Sequence, residues 1–275
     1  MTVARIDARF AALKAERRAG FVAYVMAGDP DAETALKILQ GLPAAGADFI
    51  EVGFPFSDPM AEGPPIQRAA LRALAAGMTF LGVLDTVRRF REGDQATPII
   101  LMGYMNILVS HGLEAFGRDA AAAGVDGVIV VDCPPEEAGP LADALDAAGV
   151  ALIRLATPTT DDARLKVVAA RTSGFVYYVS VAGVTGVKEA DADAVAPAVA
   201  RVRAATGLPV AVGFGIRTPE RAAAVARVAD AVVVGSALVD EIAEAIAQNR
   251  DAVAKVLETA GALAKSVRSA RVSRD

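Results

Sequence analysis

Between residues 47 and 67 the chain reads ADFIEVGFPFSDPMAEGPPIQ, and from Glu51 onward it sets three carboxylates, Glu51, Asp58 and Glu62, against an apolar background. Glu51 interrupts the apolar run 49–52. On a strand, Phe49, Glu51 and Gly53 share one face, while Ile50 and Val52 share the other. A carboxylate on a buried strand is costly unless it is paired or put to use. The loop that follows carries Pro55, Pro59, Pro64 and Pro65, which fix φ and remove amide donors, so it reads as stiff and acidic. A buried acid at a strand end beside an acidic loop is suited to proton transfer at a catalytic mouth. Strand and loop composition alone leave a second reading open: Glu51 as a structural acid held by backbone amides, and the loop as a solvated connection.

The other reactive residue types are sparse. One cysteine, Cys133, excludes an intrachain disulfide framework, and one histidine, His111, excludes His-rich metal sites and most His-based triads. Cys133 follows an apolar strand with no histidine near it in sequence, and is expected to be a small buried residue rather than a nucleophile. His111 is expected in a loop or at a helix cap. Lys14, Lys37, Lys166, Lys255 and Lys265 fall on expected helices and Lys188 in a loop, so no lysine stands at a strand end for Schiff-base chemistry. No metal-ligand cluster is apparent. Net charge is -5 with both signs mixed along the chain, and no basic patch is interleaved with aromatics, which argues against nucleic-acid binding. The N-terminus is polar with no signal peptide, and the apolar runs are too short to span a bilayer. A cytoplasmic chain with no membrane association is expected.

These residues need elements to position them. Apolar strand-like runs recur at 21–26, 49–52, 98–102, 127–131, 150–155, 175–179, 208–212 and 229–234, separated by helical patterns at 31–45, 67–75, 80–90, 112–123, 135–148, 161–170, 192–205 and 219 onward. A helix over 6–18 precedes them, a helix reaches about residue 248, and another covers 251–267. Glu136 and Glu137 are expected at the N-terminus of the helix over 135–148. Near-continuous apolar strands suit a parallel sheet buried on both faces. Eight such units in 275 residues, 54% of them hydrophobic, predict one α/β domain: a (β/α)8 barrel over 1–275, with an N-terminal cap helix within 1–18, a C-terminal helix, and a frayed polar tail over 269–275. A doubly wound open sheet is the rival. The turn Gly28-Asp29-Pro30 after the first strand is not its glycine fingerprint.

In such barrels the site lies at the carboxyl ends of the strands. Gly213-Phe214-Gly215 and Gly235-Ser236 follow the seventh and eighth strands, where backbone amides and a helix N-terminus can hold a phosphate. Gly183-Val184-Thr185-Gly186 gives the sixth loop the length and freedom of a lid. The residues thus point to carboxylate acid–base chemistry on a small phosphate-bearing substrate. A sugar-phosphate isomerase or epimerase and a non-catalytic activating subunit are the competing readings.

The segments 21–30, 46–59, 182–186 and 213–216, above all the Pro55-Phe56-Ser57-Asp58-Pro59 loop, resemble the tryptophan synthase alpha subunit, from about Phe10 to Ala264. The resemblance implies a (β/α)8 lyase that splits indole-3-glycerol phosphate into indole and glyceraldehyde 3-phosphate in tryptophan biosynthesis. It also implies an α2β2 complex in which the beta subunit carries pyridoxal phosphate and receives the indole, with no cofactor or metal in this chain. On this resemblance Glu51 is the general acid–base and Tyr177 the active-site tyrosine. Glu62 stands where the family commonly has an aspartate that interacts with the indole N–H, and Glu is longer by about 1.5 Å. Thr185 belongs to the lid, and Gly186, Gly215, Gly235 and Ser236 to the phosphate site. Tyr24, Met102, Ile129, Leu155 and Phe214 fall in the indole pocket, and Asp58 faces the beta subunit. The loops over 55–65 and 180–191 are expected to be mobile until the partner orders them.

Overall fold

The computed structural model describes residues 4–180, 192–213 and 215–271. Eight strands run parallel in chain order: β1 (Gly20–Met26), β2 (Phe49–Gly53), β3 (Ile99–Gly103), β4 (Gly127–Val130), β5 (Ala151–Ala156), β6 (Val176–Val179), β7 (Val210–Gly213) and β8 (Ala231–Val234). β8 pairs back onto β1, so the sheet closes and has no edge. Nearly every strand residue is buried, as strands covered by side chains within and helices outside must be. The helices are α1 (Ala4–Ala15), α2 (Ala32–Ala45), α3 (Pro64–Ala75), α4 (Phe80–Gly93), α5 (Met105–His111), α6 (Leu113–Ala123), α7 (Gly139–Ala148), α8 (Asp162–Ala169), α9 (Ala192–Thr206), α10 (Pro219–Ala226), α11 (Ser236–Ala247) and α12 (Ala252–Ser269). No single described helix is long and apolar enough to cross a membrane.

The helix α1 stoppers the amino-terminal end of the barrel. Its Phe10 ring lies 4.7 Å from Phe49 and 5.8 Å from Phe175, centroid to centroid. Phe49 therefore points inward, and strand alternation sends Glu51, two residues on, inward as well.

The same end carries a device that the sequence reading missed. Asp48, Asp126 and Asp230 immediately precede β2, β4 and β8. Each accepts a backbone N–H from the preceding strand in the ring: Phe21 at 3.0 Å, Ile99 at 2.8 Å and Val210 at 2.8 Å. Each is also held by an arginine, Arg18 at 2.7 Å, Arg91 at 2.7 Å and Arg203 at 2.9 Å. An aspartate directly before an apolar strand, as in 47–49, 125–127 and 229–231, was the available signal.

Four expectations need correction. α3 starts at Pro64, with the proline pair in its first turn, where missing amide donors cost nothing, rather than at residue 67. α5 was not anticipated: seven residues left too little periodicity. His111 is its last residue, and Nε2 lies 2.8 Å from Asp119 Oδ2. α7 starts only at Gly139, so Glu136 and Glu137 precede it, and Glu136 instead pairs with Arg164. Cys133 is half-buried rather than enclosed.

Candidate active site

At the carboxyl end of the barrel, one cavity is lined by Tyr24, Glu51, Glu62, Ile66, Met102, Tyr177, Gly215, Ile216, Val233, Gly235 and Ser236. Glu51 stands level with Tyr24 of β1 and Ile100 of β3. It is 1% exposed, and its Oε2 has no hydrogen-bond partner among the described residues. Burial, reinforced by the neighbouring Glu62, raises its pKa to about 8. Burial alone lifts Glu62 to about 7. Two buried neighbouring carboxyls hold protons that exposed acids would have lost, which suits them to acid–base work near neutrality.

Two phenols complete the polar lining. Burial, together with the charges of both glutamates, pushes Tyr24 and Tyr177 well above the ordinary phenol range. Both therefore stay protonated and can act as donors. Glycine makes room for each: a side-chain carbon at Gly53 would collide with the Tyr24 hydroxyl, and one at Gly213 with that of Tyr177.

Glu62 reaches the cavity because its loop is tied down. The Ala61 amide donates to Tyr104 Oη at 3.0 Å, and Gln67 Nε2 donates to the Glu62 carbonyl at 2.9 Å. The Phe56 and Tyr104 rings lie 5.1 Å apart. The loop thus brings Glu62 into the same cavity as Glu51. Asp58 lies on the outer side of the same loop, exposed, in a groove with Met60 and Leu71.

The backbone at the far wall is arranged for an anion. Gly235 caps the N-terminus of α11, and Gly235 and Ser236 both line the cavity. The free amides of a helix's first turn and its dipole favour negative charge there. Gly215, at φ 72°, adopts the left-handed backbone that glycine tolerates best.

Of the residues expected in the site, Glu51, Glu62, Tyr177, Tyr24, Met102, Gly215, Gly235 and Ser236 meet in this cavity. Ile129 and Leu155 are not among its lining residues. Ile129 is fully buried, and Leu155 borders another pocket, taken up below. Thr185, Gly186 and Phe214 lie outside the described residues. Ile66, Ile216 and Val233 line the cavity but were not anticipated. Val233 was open to the alternation rule, whereas Ile66 and Ile216 sit beyond strand ends, where that rule gives no direction.

A closed (β/α)8 barrel with paired buried carboxyls facing a phosphate-ready rim defines a barrel enzyme of acid–base chemistry on a phosphorylated substrate. Residues 10–268 match the family model of the tryptophan synthase alpha chain. The chain is 78% identical to the tryptophan synthase alpha chain of Phenylobacterium zucineum over 275 residues, covering 100% of this chain and 99% of that one. Identity to the corresponding chain of Caulobacter vibrioides is 73% over 272 residues, covering 99% of each. The crystal structure of the alpha subunit from Legionella pneumophila superposes with a TM-score of 0.90 at 41% identity, covering 96% of this chain and 98% of that one. The chain belongs to the tryptophan synthase alpha chain family. It is a carbon–carbon lyase of tryptophan biosynthesis, cleaving indole-3-glycerol phosphate to indole and glyceraldehyde 3-phosphate, and its partner is a beta subunit that receives the indole.

Proposed function

We propose that Glu51 is the proton donor and acceptor of this cleavage, and that Glu62 stabilises the charge that forms on the ring. The observation that carries this reading is the Oε2 of Glu51, unpartnered among the described residues, buried in the cavity and close enough to Glu62 to feel its charge. Cleavage requires a proton at indole C3, which gives a positively charged indolenine. The hydroxyl on the attached carbon then loses its proton as the C–C bond breaks, the bonding pair returns to the ring, and an aldehyde is left. A carboxyl that is neutral near pH 7 can deliver the first proton and, once ionised, accept the second. A carboxylate at the ring N–H offsets the developing charge. Tyr177 donates to the reacting oxygen, while Tyr24 and Met102 give the indole an apolar wall, to which Ile129, Leu155 and Phe214 are assigned by family resemblance. Glu51 moves the protons and Glu62 offsets the ring charge, a division of work that calls for no cofactor in this chain, and pyridoxal phosphate belongs to the beta subunit.

Gly215, Gly235 and Ser236, with Gly186, form the phosphate site, and Thr185 belongs to the lid. Sulfate soaked into crystals is expected against the amides of Gly235 and Ser236. A sulfate bound elsewhere in the barrel mouth, with that rim empty, would refute the assignment. Gly213→Ala pushes the Tyr177 phenol aside, and a displacement of about 1 Å costs on the order of a hundredfold in kcat/KM. Indole release from indole-3-glycerol phosphate measures this directly, and an unchanged rate would remove Tyr177 from the chemistry. Asp58, on the exposed side of its loop, faces the beta subunit. The whole chain acts as one barrel domain, in a cytoplasmic α2β2 assembly.

A further inference from the structure

Arg154 lies within β5 and is 7% exposed. It stands in register with Val176, whereas the next residue, Leu155, is level with Tyr177, which faces the barrel interior. Strand alternation therefore turns Arg154 outward, towards the helix layer. There it lines a pocket of about 300 Å³ with Val130, Cys133, Pro135, Leu152 and Val168. Buried arginines are expected to be paired. Arg154 makes no hydrogen bond or ion pair with any described residue, and its Nε is enclosed without a partner. The other arginine lining the pocket, Arg164, is already held by Glu136. Asp132, also in the lining, accepts the Met105 amide at 2.8 Å. Burial is the main cause that lowers the Arg154 pKa, so the guanidinium is short of compensating negative charge.

We propose that this outer pocket binds a small organic carboxylate. The head group meets the Arg154 guanidinium, and the apolar body lies against Val130, Leu152 and Val168. A guanidinium offers a planar fork that fits a carboxylate. The volume is at the lower end of ligand pockets, which suits a ligand of one small ring or one branched chain.

Cys133, the only cysteine of the chain, lines the same pocket and reports on it. Iodoacetate and iodoacetamide alkylate the same sulfur: a C–S bond forms, iodide leaves, and the thiol proton passes to solvent. They differ only in charge. In the full chain, the iodoacetate-to-iodoacetamide rate ratio is expected to exceed that of a cysteine peptide by about tenfold, the low end of electrostatic focusing in a cleft. Arg154→Met should return the ratio to the peptide value. Benzoate should slow iodoacetamide in the parent protein, and inorganic phosphate at equal ionic strength should not. A peptide-like ratio in the parent protein overturns the proposal without any variant. So does a ratio unchanged in Arg154→Met, or equal protection by phosphate.

Discussion

Glu51→Gln is expected to lower kcat/KM for indole release by at least about a thousandfold, within the range for loss of a general acid–base. The fold should survive, and stability above neutral pH should rise. Glutamine keeps the shape of the side chain but can neither donate nor accept a proton at C3. The stability effect follows from the raised pKa of about 8. Unfolded, the carboxyl loses its proton near its ordinary value of about 4.3, and folded it keeps the proton until about 8. Between those values the folded state binds more protons, so its stability falls as pH rises through the window. Glu62, raised to about 7, acts in the same direction over a narrower window. The variant should therefore melt with a flatter pH dependence than the parent. Melting curves at about pH 5 and about pH 9, beside a turnover assay, read both effects. Turnover within about twofold of the parent would end the catalytic assignment of Glu51.

Asp126→Ala is expected to be the most damaging single change at the opposite end of the barrel. Asp126 Oδ2 accepts the Ile99 amide at 2.8 Å and Arg91 Nη2 at 2.7 Å, and Oδ1 accepts Arg5 Nη1 at 2.8 Å. The side chains of Arg91 and Asp126 are 7% and 6% exposed. Removing the carboxylate leaves the Ile99 amide without its acceptor and the buried Arg91 charge without its counterion, with only the Gly124, Asp94 and Thr97 carbonyls still accepting from it. Breaking a buried pair from one side costs about 3–5 kcal/mol. The loss is read by urea unfolding. Indole release per folded molecule should be unchanged, because Asp126 stands before β4 and the chemistry lies beyond the strands' other ends. A loss below about 1 kcal/mol, the value of an exposed pair, would show that Arg91 finds other compensation.

The barrel was legible because each strand is a short apolar run between helical patterns, and each inward face follows from alternation. Glu51 was legible for the same reason: a lone acid at an inward position of a buried strand can hardly be neutral to the fold. Its depth and its coupling to Glu62 were not, because the loop that returns Glu62 to the cavity depends on Tyr104, far along the sequence. Glu62, longer than the aspartate common in the family, lines the same cavity as Glu51. Ile129 and Leu155 matched the inward pattern and stand level with the lining residues Met102 and Tyr177, but an inward direction does not fix which side of the barrel the cavity occupies. The starts of α3 and α7 were misplaced because proline and glycine permit both a loop and a helix's first turn.

The central claim is that Glu51 is a buried carboxyl kept protonated by its surroundings and by Glu62. Carbon-13 NMR titration of glutamate side-chain carboxyls, assigned with Glu51→Gln and Glu62→Gln, tests it without substrate or partner. Glu51 is expected to titrate near 8 and Glu62 near 7, and in Glu62→Gln the Glu51 titration should move down, since one of its two causes is removed. A Glu51 carboxyl that titrates in the ordinary range, near about 4.3, would contradict the account.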